Sequence, residues 1–253
     1  MLRADLTGKR ALVTGGVSGI GLATVRGLAG MGAQVAANHL PADETADQCI
    51  EALVDEGLNV IAAPGDVSKP GEAEEMVQAA VSAMGGLDYL VNNAATPNTQ
   101  EPIEMGDLDA MTEEFWQKIL TTNVVGSFRC AKAAAPALRK GGGAVVNLAS
   151  IAGINSAGSS MAYGAGKAAI INMTKNLARG LAPDVRVNAV APGLVESPWT
   201  ADWPEERREG ARQTALLKRN CYPDDIAEAI IFFLAGANAV TGQTLVIDAG
   251  LTL

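Results

Sequence analysis

The sequence predicts a doubly wound α/β domain, with a mostly parallel seven-stranded sheet covered by helices on both faces. Of its 253 residues, 48% are hydrophobic and 19% are charged, which is enough apolar material for one sizeable core. Short runs rich in Val, Ala and Leu alternate with longer helical patterns, as strands joined by crossover helices require. All but the last of these runs are almost continuously apolar, as expected of strands covered on both faces.

The order of the elements follows from this alternation. The expected strands are residues 10–14, 34–38, 60–64, 87–92, 144–148, 185–190 and 244–247. The expected helices lie near residues 20–31, 43–56, 71–84, 113–138, 161–181 and 224–234. No linker rich in Ser, Gly or Pro divides the chain, so residues 1–253 are expected to form a single domain. The polar segment 196–217 has no place inside a sheet core and is expected to be a substrate lid.

Charge and composition exclude several classes of function. Acidic residues outnumber basic ones by 28 to 19, for a formal charge of −9, and such a surface repels nucleic-acid phosphates and anionic lipid. The single histidine, His39, argues against a histidine-rich metal site and against a Ser-His-Asp hydrolase. Three widely spaced cysteines indicate free thiols, and the first residues lack the apolar stretch of a signal peptide. We therefore expect a cytoplasmic protein with no metal, nucleic-acid or membrane partner.

A glycine-rich turn joins the first expected strand to the first helix. It begins at Thr14 and contains Gly15, Gly19 and Gly21 in a Gly-x-x-x-Gly-x-Gly pattern. Such glycines allow a tight turn and close approach of the backbone to a pyrophosphate, and the helix N-terminus offers free N–H groups to the anion. Glycine-rich turns also serve backbone geometry alone. The position between a strand and a helix favours the dinucleotide-binding loop of a Rossmann fold.

Further candidate residues follow the next strands along the chain. Asp66 and Val67 come after the third expected strand, and an Asn-Asn-Ala-Ala sequence at 92–95 closes the fourth. Taken singly, these residues are better explained as caps or turns. Ligands of doubly wound sheets bind beyond the carboxyl ends of the strands, so their shared placement predicts one crevice.

A tyrosine and a lysine lie four residues apart in the expected helix 161–181. This spacing puts Tyr163 and Lys167 on one helix face, while Ser150 follows the preceding strand and Asn123 lies in the helix before it. With the glycine-rich loop, the 92–95 sequence and the Pro-Gly at 192–193, this ordered set resembles the short-chain dehydrogenase/reductase family over nearly the whole chain. The resemblance implies an NAD(P)-dependent oxidoreductase that transfers a hydride between the nicotinamide and a secondary alcohol or ketone of a small molecule.

The resemblance also implies a catalytic role for each of these four residues. Tyr163 would be the general acid in reduction and the general base in oxidation. Free tyrosine has a pKa of about 10, so the neighbouring Lys167 ammonium must favour the phenolate near neutrality. Lys167 would also hold the ribose hydroxyls of the nicotinamide, Ser150 would donate a hydrogen bond to the substrate oxygen, and Asn123 would fix a water that links Lys167 to solvent. Read separately, the four fit a core residue, a solvated charge and two caps or turn residues.

The cofactor is expected to lie along the loop and the strand ends. The expected cofactor-binding residues are Gly15, Ser18, Gly19, Ile20, Gly21, His39, Asp66, Val67, Asn93, Ala94, Ala95, Tyr163, Lys167, Pro192, Gly193, Val195 and Ser197. His39 stands where an acidic side chain would bind the adenosine ribose, and Leu40 stands where a basic one would bind a 2′-phosphate. Because Ser18 is also uncharged, we expect NAD ahead of NADP, with use of both cofactors left open. His39 fits a surface histidine that ends a strand equally well.

The substrate pocket is expected beside Tyr163 and under the lid. Its expected walls are Thr96, Pro97, Ile151, Ala152, Asn155, Ser159, Ser160, Met161, Leu194, Trp199 and Trp203. The two tryptophans fit pocket walls, lid anchors or a subunit contact equally well. Arg207, Arg208 and Arg212 alternate with glutamates and are expected on a solvated helix face, away from Tyr163.

Two other functions stay open at this point. A 3-oxoacyl-carrier-protein reductase would need a basic docking patch, of which Arg139 and Lys140 are only a fragment, with Asp184 nearby. A non-catalytic dinucleotide-binding regulator would keep the fold, yet it has no need of the four catalytic candidates together. The resemblance suggests a homotetramer built from the helices around Asn123 and Tyr163.

Overall fold

The computed structural model describes residues 4–154 and 158–253 and contains a seven-stranded sheet. Its strands are β1 (Arg10–Val13), β2 (Gln34–His39), β3 (Val60–Pro64), β4 (Tyr89–Asn92), β5 (Ala144–Leu148), β6 (Arg186–Pro192) and β7 (Thr244–Ile247). Its α-helices are α1 (Gly19–Gly30), α2 (Glu44–Asp55), α3 (Glu72–Met84), α4 (Glu113–Ile119), α5 (Ser127–Gly141), α6 (Met161–Leu181), α7 (Glu205–Thr214) and α8 (Pro223–Ile231). The expected doubly wound fold is confirmed.

The sheet is parallel throughout, in the order β3-β2-β1-β4-β5-β6-β7. The chain crosses from β3 to β4 on the far side of β1, so Arg10 pairs with Gln34 on one flank and Ala11 with Tyr89 on the other. Strand order reverses at this point, and the crevice between β1 and β4 opens at their carboxyl ends. Ligands bind at such a switch point in open α/β sheets.

Two apolar layers cover the two faces of the sheet. One contains Val25 and Leu28 of α1 with Ile226 and Ile230 of α8. The other contains side chains of α3 and α5, among them Val77 and Leu138. Because both faces of the inner strands are buried, these strands carry the continuous apolar runs seen in the sequence. The edge strand β7 differs, since Leu245 and Val246 are exposed.

The helix expected over 113–138 is interrupted in the structure. A π-helical segment, Leu120–Gly126, separates α4 from α5. Here Ser127 Oγ donates to Asn123 O at 2.8 Å, a side-chain bond that competes with the regular helical pattern. The helix expected over 224–234 ends early in the same way, because the π-helical segment Phe232–Gly236 follows α8. Apolar periodicity does not distinguish a π-helical turn from an α-helical one, so the sequence did not show either interruption.

The segment 196–217 contains the helix on which Arg207, Arg208 and Arg212 were expected, although the sequence gave no bounds for it. It contains a short 3₁₀ helix, Pro198–Thr200, followed by α7. None of the residues of α7 is fully buried, so the helix lacks the apolar stripe on which periodicity depends. Within residues 4–154 and 158–253, no helix is both long enough and apolar enough to span a bilayer.

Candidate active site

One cleft at the carboxyl ends of β1 and β4 contains nearly all of the expected site residues. Its volume is about 650 Å³. Ser150, Tyr163 and Lys167 line it, and so does every expected cofactor-binding residue except Gly21. Asn123 does not line the cleft. The topology thus brings together groups as far apart in the sequence as Gly15 and Ser197.

Buried polar groups hold the glycine-rich loop in place. Asn38 Oδ1 accepts a hydrogen bond from Gly15 N at 3.1 Å, and Asn38 Nδ2 donates to the carbonyls of Ala63 and Gly65 at 3.0 and 2.9 Å. Asn38 is only 2% exposed. It joins the loop to β2 and to the end of β3, and it was not among the expected site residues. The only signal for it was an amide inside an otherwise apolar strand.

Thr14 and Asn93 form a second support, between β1 and β4. Thr14 Oγ1 accepts from the backbone N–H groups of Asn93 and Ala94, both at 2.9 Å. Asn93 Nδ2 donates to the carbonyls of Thr14 and Gly15 at 2.9 and 3.0 Å. Gly21 lies behind this support, where a Cβ would be only 1.9 Å from Gly15 O. The third glycine of the motif is therefore needed for packing between helix and loop rather than as a cleft surface.

The loop and the end of β2 have the features that a dinucleotide requires. Ser18 precedes α1 without capping it by a side-chain hydrogen bond, which leaves the first-turn N–H groups available to an anion. His39 is 7% exposed, and its Nδ1 lies 3.0 Å from Leu40 O. Because a carbonyl only accepts, Nδ1 carries the proton in this contact. Nε2 is buried without a partner and borders the cleft, so it fits a hydroxyl donor of a bound ribose.

Tyr163 lies in the first turn of α6, beside the residue that follows β5. Ser160 caps the helix, since its Oγ accepts from Tyr163 N at 3.1 Å. Ser150 begins the 3₁₀ turn after β5 and accepts from Ala152 N at 3.2 Å. Burial raises the pKa of Tyr163 to about 12, and a hydrogen bond with Ser150 opposes this only in part. The phenol is therefore protonated at neutral pH in the protein without cofactor.

Lys167 lies one turn further along α6, at the floor of the cleft. Its side chain is buried, with Nζ donating to Leu148 O at 2.6 Å and lying 5.4 Å from the centre of the Tyr163 ring. Burial lowers the pKa of Lys167 to about 8. The sequence led us to expect that this lysine lowers the pKa of the tyrosine. In the structure, burial raises the pKa of Tyr163 instead, and the Lys167 ammonium donates to Leu148 O.

Asn123 is buried in the π-helical segment and holds the chain that follows β4. Its Oδ1 accepts from Thr96 N at 2.8 Å, and its Nδ2 donates to Thr96 O at 3.0 Å. Both ends of the amide are thus used by a residue of the cleft wall. The water expected between Asn123 and Lys167 would have to bind elsewhere on Asn123 than at these two side-chain contacts.

The segment after β6 packs over the cleft and is anchored by charges. Glu196 accepts hydrogen bonds from Arg208 Nη2 at 2.6 Å and Asn220 Nδ2 at 2.7 Å. Trp199 contacts Tyr163 edge to face, with ring centres 6.1 Å apart. This segment therefore touches the residue that we expect to transfer the proton.

The expectation that all three arginines of α7 lie on a solvated face is wrong for Arg207. Arg208 and Arg212 form ion pairs with glutamates, but Arg207 lines the cleft. Its Nη2 donates to Gly158 O at 2.9 Å, and its guanidinium lies 4.9 Å from the centre of the Trp203 ring. Burial lowers the pKa of Arg207. Charge alternation in the sequence did not reveal this, since the helix turns only one of the three arginines inward.

Most of the residues that were expected to form the walls of the substrate pocket also line the cleft. Thr96, Ile151, Ala152, Ser159, Leu194, Trp199 and Trp203 line the cleft. Pro97, Ser160 and Met161 do not, because Ser160 caps α6 and Met161 points to the surface. Asn155 lies outside the described residues. Among residues 4–154 and 158–253, no group of three or more His, Cys, Asp or Glu side chains is arranged to hold a metal ion.

Comparison with known proteins identifies the class to which this fold and cleft belong. A family model described as enoyl-(acyl carrier protein) reductase matches residues 15–252. The chain is 43% identical to a Streptomyces violaceoruber protein named as ketoacyl reductase 2 of the granaticin polyketide synthase, over 95% of this chain and 94% of that protein. It is 35% identical to 3-oxoacyl-(acyl-carrier-protein) reductase of Staphylococcus epidermidis, over 96% of this chain and 98% of that one.

Solved structures show the same relationship. A short-chain dehydrogenase from Burkholderia cenocepacia J2315, determined in complex with NADP, superposes with a TM-score of 0.87 at 32% identity. The alignment covers 99% of this chain and 100% of that one. The chain therefore belongs to the short-chain dehydrogenase/reductase family. It is an NAD(P)-dependent oxidoreductase that transfers a hydride between the nicotinamide and a secondary alcohol or ketone of a small molecule.

Proposed function

We propose that Tyr163, Ser150 and Lys167 perform the proton chemistry of this reaction, with Asn123 as a positioning residue. The observation that carries the proposal is the position of these three side chains in one cleft with the glycine-rich loop. When bound, the nicotinamide supplies or accepts the hydride. Tyr163 donates its phenolic proton to the carbonyl oxygen during reduction, and Ser150 donates a hydrogen bond to the same oxygen.

The environment of Tyr163 suits this role. Its raised pKa keeps the proton on the phenol until the substrate oxygen acquires negative charge. Lys167 places a positive charge under the ring and would bond to the nicotinamide ribose from the same position. Asn123 acts through Thr96, whose backbone it fixes in the cleft wall.

The test of this proposal is the substitution Tyr163→Phe. The variant keeps the ring and its contact with Trp199 and loses only the transferable proton. We expect kcat to fall by about 10³-fold or more, with cofactor affinity within about threefold of the wild type. The absorbance of NADH or NADPH at 340 nm measures turnover, and fluorescence titration measures binding. Retained turnover would contradict the assignment of Tyr163, and tight cofactor binding without any wild-type turnover would favour a regulator.

For the cofactor, we infer a preference for NAD. His39 Nε2 is poised to accept a hydrogen bond from the adenosine ribose, because Nδ1 is the donor to Leu40 O. The neighbouring cleft residues Ser18, Asn38 and Leu40 are uncharged and supply no cation for a 2′-phosphate. We expect NADH to bind at least about tenfold more tightly than NADPH at neutral pH. Equal or tighter binding of NADPH in the same titration would overturn this preference.

Other cofactor contacts are proposed from the family resemblance. The backbone at Gly15, Ser18, Gly19 and Ile20 would bind the pyrophosphate, with Gly21 packing behind it. The remaining expected residues would line the path of the cofactor from adenine to nicotinamide: Asp66, Val67, Asn93, Ala94, Ala95, Pro192, Gly193, Val195 and Ser197.

A second candidate substrate is a 3-oxoacyl group on a carrier protein, because two of the relatives above carry ketoacyl or 3-oxoacyl reductase names. Such a substrate needs a basic surface at the mouth of the cleft for an acidic carrier. The formal charge of −9 argues for the free small molecule. Comparison of kcat/KM for 3-oxobutanoyl carrier protein with that for ethyl 3-oxobutanoate decides between them, since a ratio above about 100 would favour the carrier.

We further propose that the chain acts as one domain with 196–217 as its lid, in a cytoplasmic homotetramer. The described cysteines Cys49, Cys130 and Cys221 are free, as in a reducing compartment. The acidic charge disfavours nucleic-acid and membrane partners. Light scattering should give a mass four times the 25.9 kDa of the chain, and any other mass would contradict the tetramer.

A further inference from the structure

Arg207 has a different environment from the other arginines of α7. Arg208 and Arg212 lie within 4.0 Å of Glu196 or Glu205, and Arg212 also pairs with Glu209. Arg207 faces the opposite way. It lines the catalytic cleft, bonds to Gly158 O and stacks on Trp203.

The charge of Arg207 has no counterion in the described part of the chain. No carboxylate lies within 4.0 Å of its guanidinium among residues 4–154 and 158–253. Residues 155–157 are Asn, Ser and Ala and carry no carboxylate side chain. One carbonyl and one aromatic face satisfy only part of a group with five N–H donors. Arg207 is only partly buried, and a partly desolvated cation binds an anion more strongly than a fully exposed one does.

The rest of the substrate end of the cleft is largely apolar. Ile151, Leu194 and Trp199 line the cleft, and Trp199 of the lid contacts the ring of Tyr163. Two lysines also line the cleft: Lys167 donates to Leu148 O, and Lys118 lies close enough to Asp66 to help lower the pKa of that carboxyl. A ligand that extends from Tyr163 towards the lid therefore crosses apolar surface and ends near one unpaired guanidinium.

We propose that Arg207 binds a carboxylate of the substrate, so that the preferred substrates are oxo acids or hydroxy acids with an apolar spacer between the reacting carbon and the carboxylate. This inference rests on the proposed function, because it assigns the substrate class of the same cleft. Arg207 acts as a specificity-determining residue. Its planar guanidinium matches the two oxygens of a carboxylate, and the stacking on Trp203 holds the plane in position.

The test compares each acid with its neutral ester. The substrates are 3-oxobutanoate, 4-oxopentanoate and 5-oxohexanoate with their methyl esters, assayed with NADH and NADPH. For at least one pair, we expect wild-type kcat/KM to be about tenfold or more higher for the acid, and Arg207→Met to lower the acid-to-ester ratio by about 10- to 100-fold. Arg207→Lys should keep part of the preference, and Arg212→Met, which removes an outward arginine of the same helix, should keep all of it.

Preference for the ester in all three pairs would overturn the proposal, and so would an unchanged ratio in Arg207→Met. A purely structural role of Arg207 would lower acid and ester turnover together and leave the ratio as it is.

A binding measurement separates this inference from the catalytic assignment. Hexanoate and hexanamide are unreactive probes of equal length, and calorimetry of the protein saturated with either cofactor measures their affinity. We expect hexanoate to bind about tenfold more tightly than hexanamide, and Arg207→Met to abolish the difference. Equal binding of the two probes to the wild type overturns the carboxylate site. Absence of turnover with every ketone, alongside selective hexanoate binding, overturns the catalytic proposal alone.

Discussion

The two ends of the cleft are held together by different interactions. At the cofactor end, Asn38, Thr14 and Asn93 bind partly buried backbone groups of the loop, and the side chains of Asn38 and Thr14 are themselves buried. At the lid end, Glu196 and Arg208 fix a helix that has no fully buried residue. Hydrogen bonds among buried groups cost more to break than surface ion pairs, because the freed groups cannot return to water. The comparison indicates a rigid frame for the cofactor and an adjustable one for the substrate.

Substitution of Gly21 should produce the largest loss of stability, because Gly21 packs against the loop at the rigid, cofactor end of the cleft. A Cβ at this position would lie 1.9 Å from Gly15 O and 2.7 Å from Asn93 Nδ2, which forces helix and loop apart. We expect Gly21→Ala to lower the free energy of unfolding by more than about 3 kcal/mol, measured by urea denaturation. Gly30→Ala, in the same helix with open space around its Cβ, should be neutral or stabilising. Equal effects of the two would refute the packing role.

Lys167, which lies at the floor of the cleft between its two ends, should lower the free energy of unfolding by an amount that depends on pH. Folding lowers the pKa of Lys167 from 10.5 to about 8, so the unfolded chain binds more protons between these values. Below pH 8 the folded protein carries the full penalty of about 3 kcal/mol, and the penalty disappears as the pH rises towards 10.5. The stability of Lys167→Met relative to the wild type should therefore fall between pH 7 and pH 10.

Thermal or urea unfolding at several pH values measures this difference. Lys175→Met, at an exposed position on the same helix, is the control and should follow the wild type across the range. A constant difference between Lys167→Met and the wild type would show that the lysine is not desolvated.

Removal of one hydroxyl tests the buried hydrogen bonds at the cofactor end. Thr14→Val preserves shape but leaves the N–H groups of Asn93 and Ala94 without their acceptor. We expect a loss of about 2 kcal/mol in the free energy of unfolding, together with weaker NADH binding. Thr24→Val, in which the lost hydroxyl only donates to Ile20 O within its own helix, should cost less than about 1 kcal/mol. A larger loss in Thr24→Val would reverse this ranking.

Substitution of Glu196, which anchors the lid, should have the smallest effect on stability and a measurable effect on the motion of α7. Glu196→Gln weakens the bonds to Arg208 and Asn220 at a side chain that is 17% exposed, and we expect it to cost about 1 kcal/mol. Hydrogen exchange in α7 should become faster, and KM should rise more than kcat changes. Glu209→Gln breaks the ion pair with Arg212 at a side chain that is 40% exposed. It should change neither hydrogen exchange in α7 nor KM. Unchanged exchange in Glu196→Gln would show that α7 is held by other contacts.

The rigid end could be predicted from the sequence much better than the adjustable end. Glycine spacing located the loop, and the Tyr163–Lys167 spacing located the floor, because both patterns follow from local geometry. Asn38 was not predicted as a site residue, because its partners Gly15 and Ala63 are distant in the sequence. Asn123 was found, but its contact with Thr96 depends on a π-helical turn that periodicity does not show.

The chemistry of the lid end depends on the direction in which its side chains face, and no sequence pattern shows that direction. Arg207, Arg208 and Arg212 have the same chemistry and alternate with the same glutamates, and the sequence gives no reason to separate them. In the structure, Arg207 lines the cleft, where it donates to Gly158 O and contacts the ring of Trp203. The expected lowering of the pKa of Tyr163 failed for a related reason, because burial depends on all surrounding segments at once.

By itself, the sequence determined the α/β class, the order of the strands along the chain and the family, since these depend on periodicity and on motifs of fewer than ten residues. The tertiary structure decided which groups are desolvated and which way they face. It raised the pKa of Tyr163, lowered that of Lys167 and left the His39 Nε2 atom unpartnered beside the cleft. These properties arise from distant segments meeting at the carboxyl edge of one sheet, where the exclusion of water sets the strength of each charge and hydrogen bond.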